Sequence, residues 1–427
     1  MKNQQAIILL FIANSISGFA QGITMLAIPW YFAHELKQPS LFAWIYFAIT
    51  VGSMIWGTYA GTLVDKFNRK KLFLYQSIFG MSVLGASSFY GFTTGEVPLW
   101  MISFVFMFTI FIYNIHYPNL YAFAQEITNP KDYGRINSYI EIQGQLTTMV
   151  AGAIAALLIS SNPITSFNFF GKDWQLPFTY ETWSIHKVFA LDAFTYILAF
   201  LVILMIKYTP VVNRKIESGN VFNRLQVGFD FLKKHKMVFL FGTLSYAVFA
   251  TILVGVHFLV PNFIDQILKA DASVYATTEL LFALGSVFAG FAIRKIFSKT
   301  NVVVAILTMT AIVAFFYIAI NVNSVIWLFY IAFFMIGLSN AGSRIMRITY
   351  LFDNVPNQVI GRVNAVFRVL NIFFRLLFIG LFAMPLFTSN LKLPFYVFAV
   401  FLSISIVLLM IFYKPIIEQT VSRKNYE

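Results

Sequence analysis

The feature that most restricts how this chain can fold is a series of long apolar runs separated by short polar segments. Each run has about 20 residues or more, enough for a helix to cross the hydrocarbon core of a bilayer. With 59% hydrophobic and 11% charged residues over 427 positions, the chain cannot be an ordinary soluble protein. Continuous rather than alternating apolar runs indicate helices. The sequence therefore predicts an all-α membrane protein.

We predict twelve transmembrane helices, numbered here as spans 1 to 12. They cover residues 6–33, 41–64, 72–94, 98–122, 136–159, 188–208, 237–262, 275–296, 301–320, 325–350, 363–387 and 393–413. Of the 30 Lys and Arg residues, 21 fall in the segments assigned to the inside, 5 in outer loops and 4 within spans. Because Lys and Arg are retained in the cytoplasm during insertion, both termini are predicted to be cytoplasmic. The protein itself is predicted to lie in the inner membrane of the cell.

The net charge of +13 follows this distribution and predicts contact with anionic membrane lipids rather than with nucleic acid. The chain has no cysteine, which excludes disulfides and thiolate metal sites. Its five histidines have no partner at ligand spacing, and no phosphate loop, metalloprotease His pair or nucleophile elbow is present. We therefore expect no metal, no cofactor and no enzymatic activity.

The longest polar break, residues 209–236, divides the chain near its midpoint. Within it, apolar residues recur at three- and four-residue steps, which predicts a short amphipathic helix on the membrane surface; an unstructured linker is the alternative. Gly134-Arg135-Ile136-Asn137 before span 5 is echoed by Gly361-Arg362-Val363-Asn364 before span 11. We therefore predict two six-helix bundles, residues 1–208 and 237–427, joined by a cytoplasmic linker at 209–236.

The outer loop 160–187 is rich in aromatic residues, among them Phe167, Trp174 and Trp183. Such residues suit the headgroup level of the membrane, where Trp and Tyr form aromatic belts. A lid over the outer mouth is the alternative interpretation.

The loop between spans 2 and 3 has the pattern Gly61-x-Leu-x-Asp65-x-x-x-Arg69-Lys70-Lys. It resembles the signature loop of the major facilitator superfamily, which usually has Gly where this chain has Asn68. Together with the Gly-Arg-Ile/Val-Asn repeats, it resembles the macrolide-efflux and enterobactin-exporter branch of bacterial drug exporters. The resemblance implies alternating access driven by a proton gradient. It also implies that Asp65 latches onto the start of span 11, in a gating motif made of Gly61, Asp65, Arg69, Lys70, Arg135 and Arg362.

Four arginines lie inside spans: Arg344 and Arg347 in span 10, Arg368 and Arg375 in span 11. Each would cost about 2.5–3.5 kcal/mol at the bilayer centre, so each must face protein, water, an anion or the headgroups. Snorkelling to the headgroups suits Arg347, whereas Arg375 lies near mid-span. We interpret the set as a basic wall inside a cavity.

Acidic residues within the spans are fewer. Glu141 lies one turn inside span 5, and the repeat offset of 227 residues maps it onto Arg368. Glu141 is the candidate proton-coupling residue with Arg368 as its partner, and a fixed ion pair is an equally good interpretation. Asp192 and Glu279, near outer ends of spans 6 and 8, are interpreted as interface caps.

Polar residues concentrate in spans 1, 4, 7 and 10, which line the central cavity in the family that the chain resembles. Packing between helices is the alternative use of such residues. The predicted substrate-binding residues are Asn14, Gln21, Asn114, His116, Tyr117, Tyr246, Asn340, Arg344 and Arg375.

The sequence thus predicts a secondary active transporter: a monomeric, proton-coupled exporter of an amphipathic, anionic small molecule. An importer or lysolipid-type flippase of the same fold is the first alternative, and a membrane receptor or enzyme without transport is a distant one. The direction of transport separates the first two, and no sequence feature reports it.

Overall fold

The computed structural model describes residues 3–129, 132–159, 164–169, 172–180, 182–209, 221–356 and 359–423. Over these residues the chain is helical apart from one short β-hairpin. Eleven helices are long and apolar enough to cross a membrane in the described part of the chain. The twelfth predicted span is the 26-residue helix at Tyr133–Leu158. Its mean hydropathy is lower because Arg135, Glu141, Gln143 and Gln145 lie on it. The predicted twelve-helix architecture is confirmed.

The first six spans are continuous helices. They are α1 (Gln4–Trp30, extended by a π-helical turn at Tyr31–Glu35), α2 (Pro39–Lys66), α3 (Arg69–Thr94), α4 (Leu99–Ile127), α5 (Tyr133–Leu158) and α6 (Ile185–Leu204). Proline at position 118 removes one backbone hydrogen bond from α4, yet the helix runs through it.

A β-hairpin between α5 and α6 was not predicted from the sequence. Strands β1 (Ile164–Phe169) and β2 (Lys172–Tyr180) pair antiparallel, with Phe167 opposite Trp174. The pairing satisfies the backbone groups of the outer loop in place of a helix. The strand pairing does not decide between an aromatic belt and a lid, so both stay predictions.

The second half begins with α7 (Val221–Lys234), and its seventh span is interrupted. That span comprises α8 (Lys236–Ser245), α9 (Ala247–Val254), a π-helical turn (Gly255–Leu259), α10 (Val260–Phe263) and a second π-helical turn (Ile264–Leu268). The remaining helices are α11 (Ala272–Ile296), α12 (Val302–Val322), α13 (Ile326–Asn354), α14 (Ile360–Phe382), α15 (Pro385–Ser389), α16 (Leu393–Ile411) and α17 (Tyr413–Arg423).

The chain forms two compact units. Unit 1 comprises Met1–Gln38, Ala48–Glu217 and Lys269–Leu280; unit 2 comprises Pro39–Phe47, Ser218–Leu268 and Leu281–Glu427. The first residues of α2 therefore belong to unit 2, and the first residues of α11 belong to unit 1. The division into 1–208, 209–236 and 237–427 stays a prediction.

Small residues set the closest helix contacts in each unit. In unit 1, a Cβ on Gly80 of α3 would lie 2.6 Å from the ring of Tyr196 in α6. In unit 2, Gly285 of α11 and Gly337 of α13 each lie against the other helix, where a Cβ would collide with backbone. Such contacts drive helix association in membranes, where lipid is as apolar as the side chains.

The predicted amphipathic helix in the linker corresponds to α7, which packs against the start of α14. Gly228 lies against the backbone of Arg362, and Leu232 is buried while Phe229 is exposed. Part of its apolar face therefore contacts protein rather than lipid.

Candidate functional site

The loop between α2 and α3 contains only Phe67 and Asn68. The Asn68 side chain accepts a hydrogen bond from the backbone N–H of Lys71 at 3.0 Å and so caps α3. This explains the departure from Gly at this position, because Asn is a better N-cap than Gly. The Asn68 amide also donates to the Tyr208 hydroxyl at 3.2 Å, and burial raises the pKa of Tyr208.

The first two residues of α3 are basic and contact the ends of neighbouring helices in unit 1. Arg69 is buried and forms an ion pair with Glu126 near the end of α4. Lys70 Nζ donates to the carbonyls of Leu204 (3.0 Å) and Ile206 (2.8 Å) at the end of α6. The last carbonyls of a helix lack partners within the helix and attract cations, so Lys70 satisfies two of them. These two residues therefore tie α3 to α4 and α6.

In the described structure, the gating residues Gly61, Arg135 and Arg362 form fewer hydrogen bonds with neighbouring helices than Arg69 and Lys70. Gly61 lies in the last turns of α2 with open space where a Cβ would be. Arg135 is exposed at the start of α5, where its Nε donates to the Tyr139 hydroxyl at 2.7 Å. Arg362 is half-buried in the first turn of α14. The Asp65 side chain lies outside the described atoms, so the latch stays a prediction.

Asn14 and His116, both predicted substrate-binding residues, contact each other. His116 Nε2 lies 2.7 Å from Asn14 Oδ1, and Asn14 Nδ2 donates to Gln143 Oε1 at 3.1 Å. Gln143 in turn donates to Ser15 Oγ at 2.5 Å. Gln143, which lies on α5 two residues after Glu141, was not predicted from the sequence. This chain of hydrogen bonds joins α1, α4 and α5.

Gln21 belongs to a second polar group in the same unit. Its Nε2 donates to the Tyr196 hydroxyl at 2.7 Å, and one turn along α1 the Thr24 hydroxyl donates to Asp192 Oδ2 at 2.7 Å. Asp192 is fully buried, and its Oδ1 has no hydrogen-bond partner among the described residues. Its interpretation as an interface cap is wrong, because the residue lies two turns inside α6 and points into unit 1.

Glu279 is also not a cap. It lies two turns inside α11, is buried, and its Oε1 has no partner within the described chain. The sequence position near a span end did not reveal that these carboxyl groups are turned toward other helices.

A small cavity with several polar side chains in its wall lies beside both polar groups of unit 1. Its volume of about 20 Å³ is enough for one water molecule. Asn14, Ser17, Gln76, His116 and Tyr196 line it, and neither side-chain polar atom of Gln76 has a partner in the described structure. A water there would satisfy Gln76 and connect the His116 group with the Tyr196 group.

The remaining predicted residues of unit 1 lie on α4 and α5. Asn114 Nδ2 donates to Ser53 Oγ on α2 at 2.9 Å. Tyr117 is 45% exposed, with its ring against His116. Glu141 Oε1 accepts a hydrogen bond from the Tyr121 hydroxyl at 2.6 Å. Glu141 is half-buried, so it has both a donor and access to the surroundings.

Tyr246, a predicted binding residue of unit 2, is the partner of Arg347. The guanidinium lies 3.5 Å from the centre of the Tyr246 ring, and its NH1 donates to the Ser245 carbonyl at 2.9 Å. Arg347 is only 4% exposed, so the expectation that it snorkels to the headgroups is wrong. A cation–π contact and a charge-assisted hydrogen bond offset its burial.

Arg375 lies half-buried on α14, within electrostatic reach of Tyr46 and His257. Its Nε is shielded from solvent and has no hydrogen-bond partner among the described residues. His257 lies in the π-helical turn Gly255–Leu259, a kind of irregularity that is frequent at functional sites. Asn371, one turn before Arg375 on the same face, is buried with its Nδ2 unpartnered in the described chain.

The other predicted residues of unit 2 lie on α13 and α14. Asn340 and Arg344 are half-buried on α13, whereas Arg368 on α14 is exposed. Next to Asn340 and Arg344, the buried hydroxyls of Ser339 and Ser343 have no partner within the described structure. The predicted basic wall is therefore uneven: Arg375 and Arg347 are sheltered, and Arg368 is not. No group of three or more His, Asp or Glu residues that could hold a metal occurs in the described ranges.

Comparisons with known proteins agree with this architecture. The sequence model of the Major Facilitator Superfamily matches residues 10–378. No curated protein sequence matches the chain. Among solved structures, a bacterial homologue of the human lysosomal transporter Spinster is similar, with a TM-score of 0.70, 12% identity and coverage of 98% of both chains.

Two further structures share the fold. The POT family transporter PepTSo has a TM-score of 0.70 at 10% identity, over 98% of this chain and 99% of that one. A D-xylose-proton symporter has a TM-score of 0.70 at 9% identity, over 96% and 97%. At these identities the likeness concerns the fold alone.

Proposed function

The chain belongs to the major facilitator superfamily of membrane transporters, and on this premise we propose that it is a proton-coupled exporter of an amphipathic, anionic small molecule. It works by alternating access in the inner membrane, with both termini in the cytoplasm. Within the family it belongs to the macrolide-efflux and enterobactin-exporter branch. No enzymatic step is part of this function.

We base the anionic substrate on a group of buried nitrogen atoms without partners in the described part of unit 2. Arg375 Nε, Asn371 Nδ2 and His257 Nδ1 are all buried without a hydrogen-bond partner in the described chain. Leaving such groups unsatisfied costs about 1–3 kcal/mol each, and more for a charged group. A carboxylate or phosphate of the substrate accepts hydrogen bonds from Arg375 and Asn371, and from His257 in the tautomer with the proton on Nδ1. A cationic substrate would instead meet Arg375 with the same sign of charge.

Asn14, Gln21, Asn114, His116 and Tyr117 form the polar contribution of unit 1 to substrate binding. Asn14 and His116 hydrogen-bond to each other, Gln21 donates to Tyr196 and Asn114 donates to Ser53. At these residues the substrate must therefore exchange contacts rather than fill an empty donor set. Tyr246, Asn340 and Arg344 are the further proposed substrate-binding residues of unit 2.

Glu141 carries the coupled proton. Its half-buried carboxyl group and the donor Tyr121 support this role. A proton carrier must be accessible to protons, and its hydrogen bonds must differ between the protonated and the ionised carboxyl group. Arg368 lies at the position of the second half that corresponds to Glu141 in the sequence repeat. Because it is exposed, its contacts can change when the transporter changes conformation. Asp192 is the next candidate if Glu141 is not the carrier.

Transport into inverted membrane vesicles tests the proposal. With an imposed proton gradient, we expect accumulation of labelled anionic amphipaths and not of cationic analogues of equal size. Arg375→Ala should abolish it, and Arg375→Lys should weaken it, because Lys keeps the charge but loses the planar fork of donors. Lys414→Ala, at an exposed position, is the matched control.

A preference for cationic compounds, or normal transport by Arg375→Ala at equal protein level, would overturn the anionic assignment. Accumulation only in vesicles of native orientation would favour the importer or lysolipid flippase. Absence of transport in both orientations for all compounds would favour a receptor.

A further inference from the structure

Unit 1 contains an apolar cavity that the proposed transport site does not use. It lies between α2, α3 and α4 and has a volume of about 430 Å³. This is within the range of about 300–1,000 Å³ that is usual for small-molecule sites. Aromatic and aliphatic side chains make up its walls, with Gln76 as the exception. An apolar ligand therefore fits it better than a polar one.

The cavity is as deep as one leaflet of the membrane. On α2, the lining residue farthest from the basic end is Trp56, whose ring stacks on Phe111 at 5.7 Å and whose Nε1 donates to the Phe111 carbonyl at 3.0 Å. At the basic end of the cavity lies Phe67, the residue that follows α2. Phe67 lies eleven positions after Trp56. Eleven steps correspond to about 16 Å along a helix, which is about half of a hydrocarbon core of about 30 Å.

One side of the cavity is open to the surroundings of the unit. Phe67 and Tyr75 are each 54% exposed and Phe79 is 61% exposed, although all three line the cavity. In a membrane these rings face hydrocarbon, so an acyl chain can enter from the side.

The shallow end of the cavity is flanked by positive charge. Of the four basic residues there, Arg69 and Lys70 are held by Glu126 and by the end of α6. Lys66 and Lys71 are exposed, and each directly precedes a residue that lines the cavity, Phe67 or Leu72. Two cations therefore lie at the depth where the headgroup of a bound lipid would be.

We propose that this cavity binds one acyl chain of an anionic phospholipid from the leaflet on the basic side of the protein, with its phosphate between Lys66 and Lys71. The apolar walls, the one-leaflet depth, the lateral opening and the paired lysines each match one part of such a lipid. The proposal does not depend on the transported substrate or on the direction of transport.

Lipid binding to the purified, delipidated full-length protein tests the headgroup part. Native mass spectrometry measures the affinities for dioleoylphosphatidylglycerol and for dioleoylphosphatidylcholine. We expect the first to bind more tightly, and a double variant Lys66→Ala, Lys71→Ala to weaken it about 30-fold, since each cation near the headgroups contributes about fivefold. Affinity for the zwitterionic lipid should not change.

The matched control is Lys295→Ala, Lys299→Ala, which removes two exposed lysines, one in the last turn of α11 and one just after that helix. It should leave both affinities unchanged. Equal affinity of the native protein for the two lipids, or an equal loss in both double variants, would overturn the proposal.

The length of the acyl chain tests the cavity itself without any variant. Lysophosphatidylglycerols of 10, 12 and 14 carbons should bind the native protein with affinities that rise about fourfold for each buried methylene. Met107→Trp, which fills part of the cavity, should reduce this gain. Affinities that do not depend on chain length would show that the lysines bind headgroups without the cavity.

Discussion

The ion pair between Arg69 and Glu126 gives the sharpest test of how the α2–α3 loop is built. Arg69 is 3% exposed, and Glu126 is the acid that its guanidinium contacts in the described structure. Glu126→Gln keeps the size of the side chain and removes the negative charge. The buried guanidinium then faces a neutral amide in place of the carboxylate that offsets its desolvation in the described structure.

The size of the effect follows from the cost of an uncompensated buried charge. Removing one partner of a buried pair costs about 3–5 kcal/mol. Because the Glu126 side chain is 15% exposed, water compensates part of this cost, and we expect the lower end of about 3 kcal/mol. At about 2–4 °C per kcal/mol for a unit of about 200 residues, the unfolding midpoint should fall by about 6–12 °C.

Thermal unfolding of the purified protein in detergent measures this shift. Glu96→Gln is the matched control, because Glu96 is exposed in the loop between α3 and α4 and its change should stay within about 0.5 kcal/mol. Replacing both partners, Arg69→Met with Glu126→Leu, should recover most of the loss, since no buried charge remains. A double variant as unstable as Glu126→Gln would refute this reasoning and show that the hydrogen bonds, not the charge balance, stabilise the loop.

Three further predictions concern the cap, the coupling and the topology. Asn68→Ala should destabilise the protein by about 1 kcal/mol and Asn68→Gly by only a few tenths, because Gly tolerates the capping backbone; equal losses in denaturant unfolding would contradict a capping role. Glu141→Gln should retain downhill exchange in vesicles but lose proton-driven accumulation, because the amide cannot carry the proton; gradient-driven accumulation at the native level would pass the role to Asp192 or His116. A cysteine at Ser218 in this cysteine-free chain should not react with an impermeant reagent added outside intact cells, since residues 209–236 are predicted to be cytoplasmic; labelling from outside would invert the topology.

Several properties of the chain could be read from the sequence because they depend on local composition. The twelve spans follow from hydrophobicity summed over about 20 residues, and this sum does not depend on which helices become neighbours. The loop from Gly61 to Lys71 was recognisable for the same reason, since its pattern is contiguous. Asn68, a departure from the family pattern, proved to be an N-cap, which is also a local signal.

The partners of the polar residues were decided by the tertiary structure. Asn14, Gln21 and His116 were identified as notable because polar residues are rare in spans, but Gln143 and Tyr196 were not identified as their partners. The contact between Gln21 and Tyr196 joins residues 175 positions apart, and that between Arg347 and Ser245 joins residues 102 apart. No local pattern encodes which helix faces which at such separations.

The direction in which charged side chains point shows most clearly the difference between what the sequence predicts and what the tertiary structure decides. From its position near a span end, Arg347 was expected to reach the headgroups and Asp192 to cap an interface. In the structure Arg347 lies under Tyr246 and Asp192 accepts a hydrogen bond from Thr24. A span's sequence gives the depth of a residue in the membrane, because depth is fixed by the helical rise. Which way the residue points depends on how the helices pack, and a buried charge is tolerated only where packing supplies a partner.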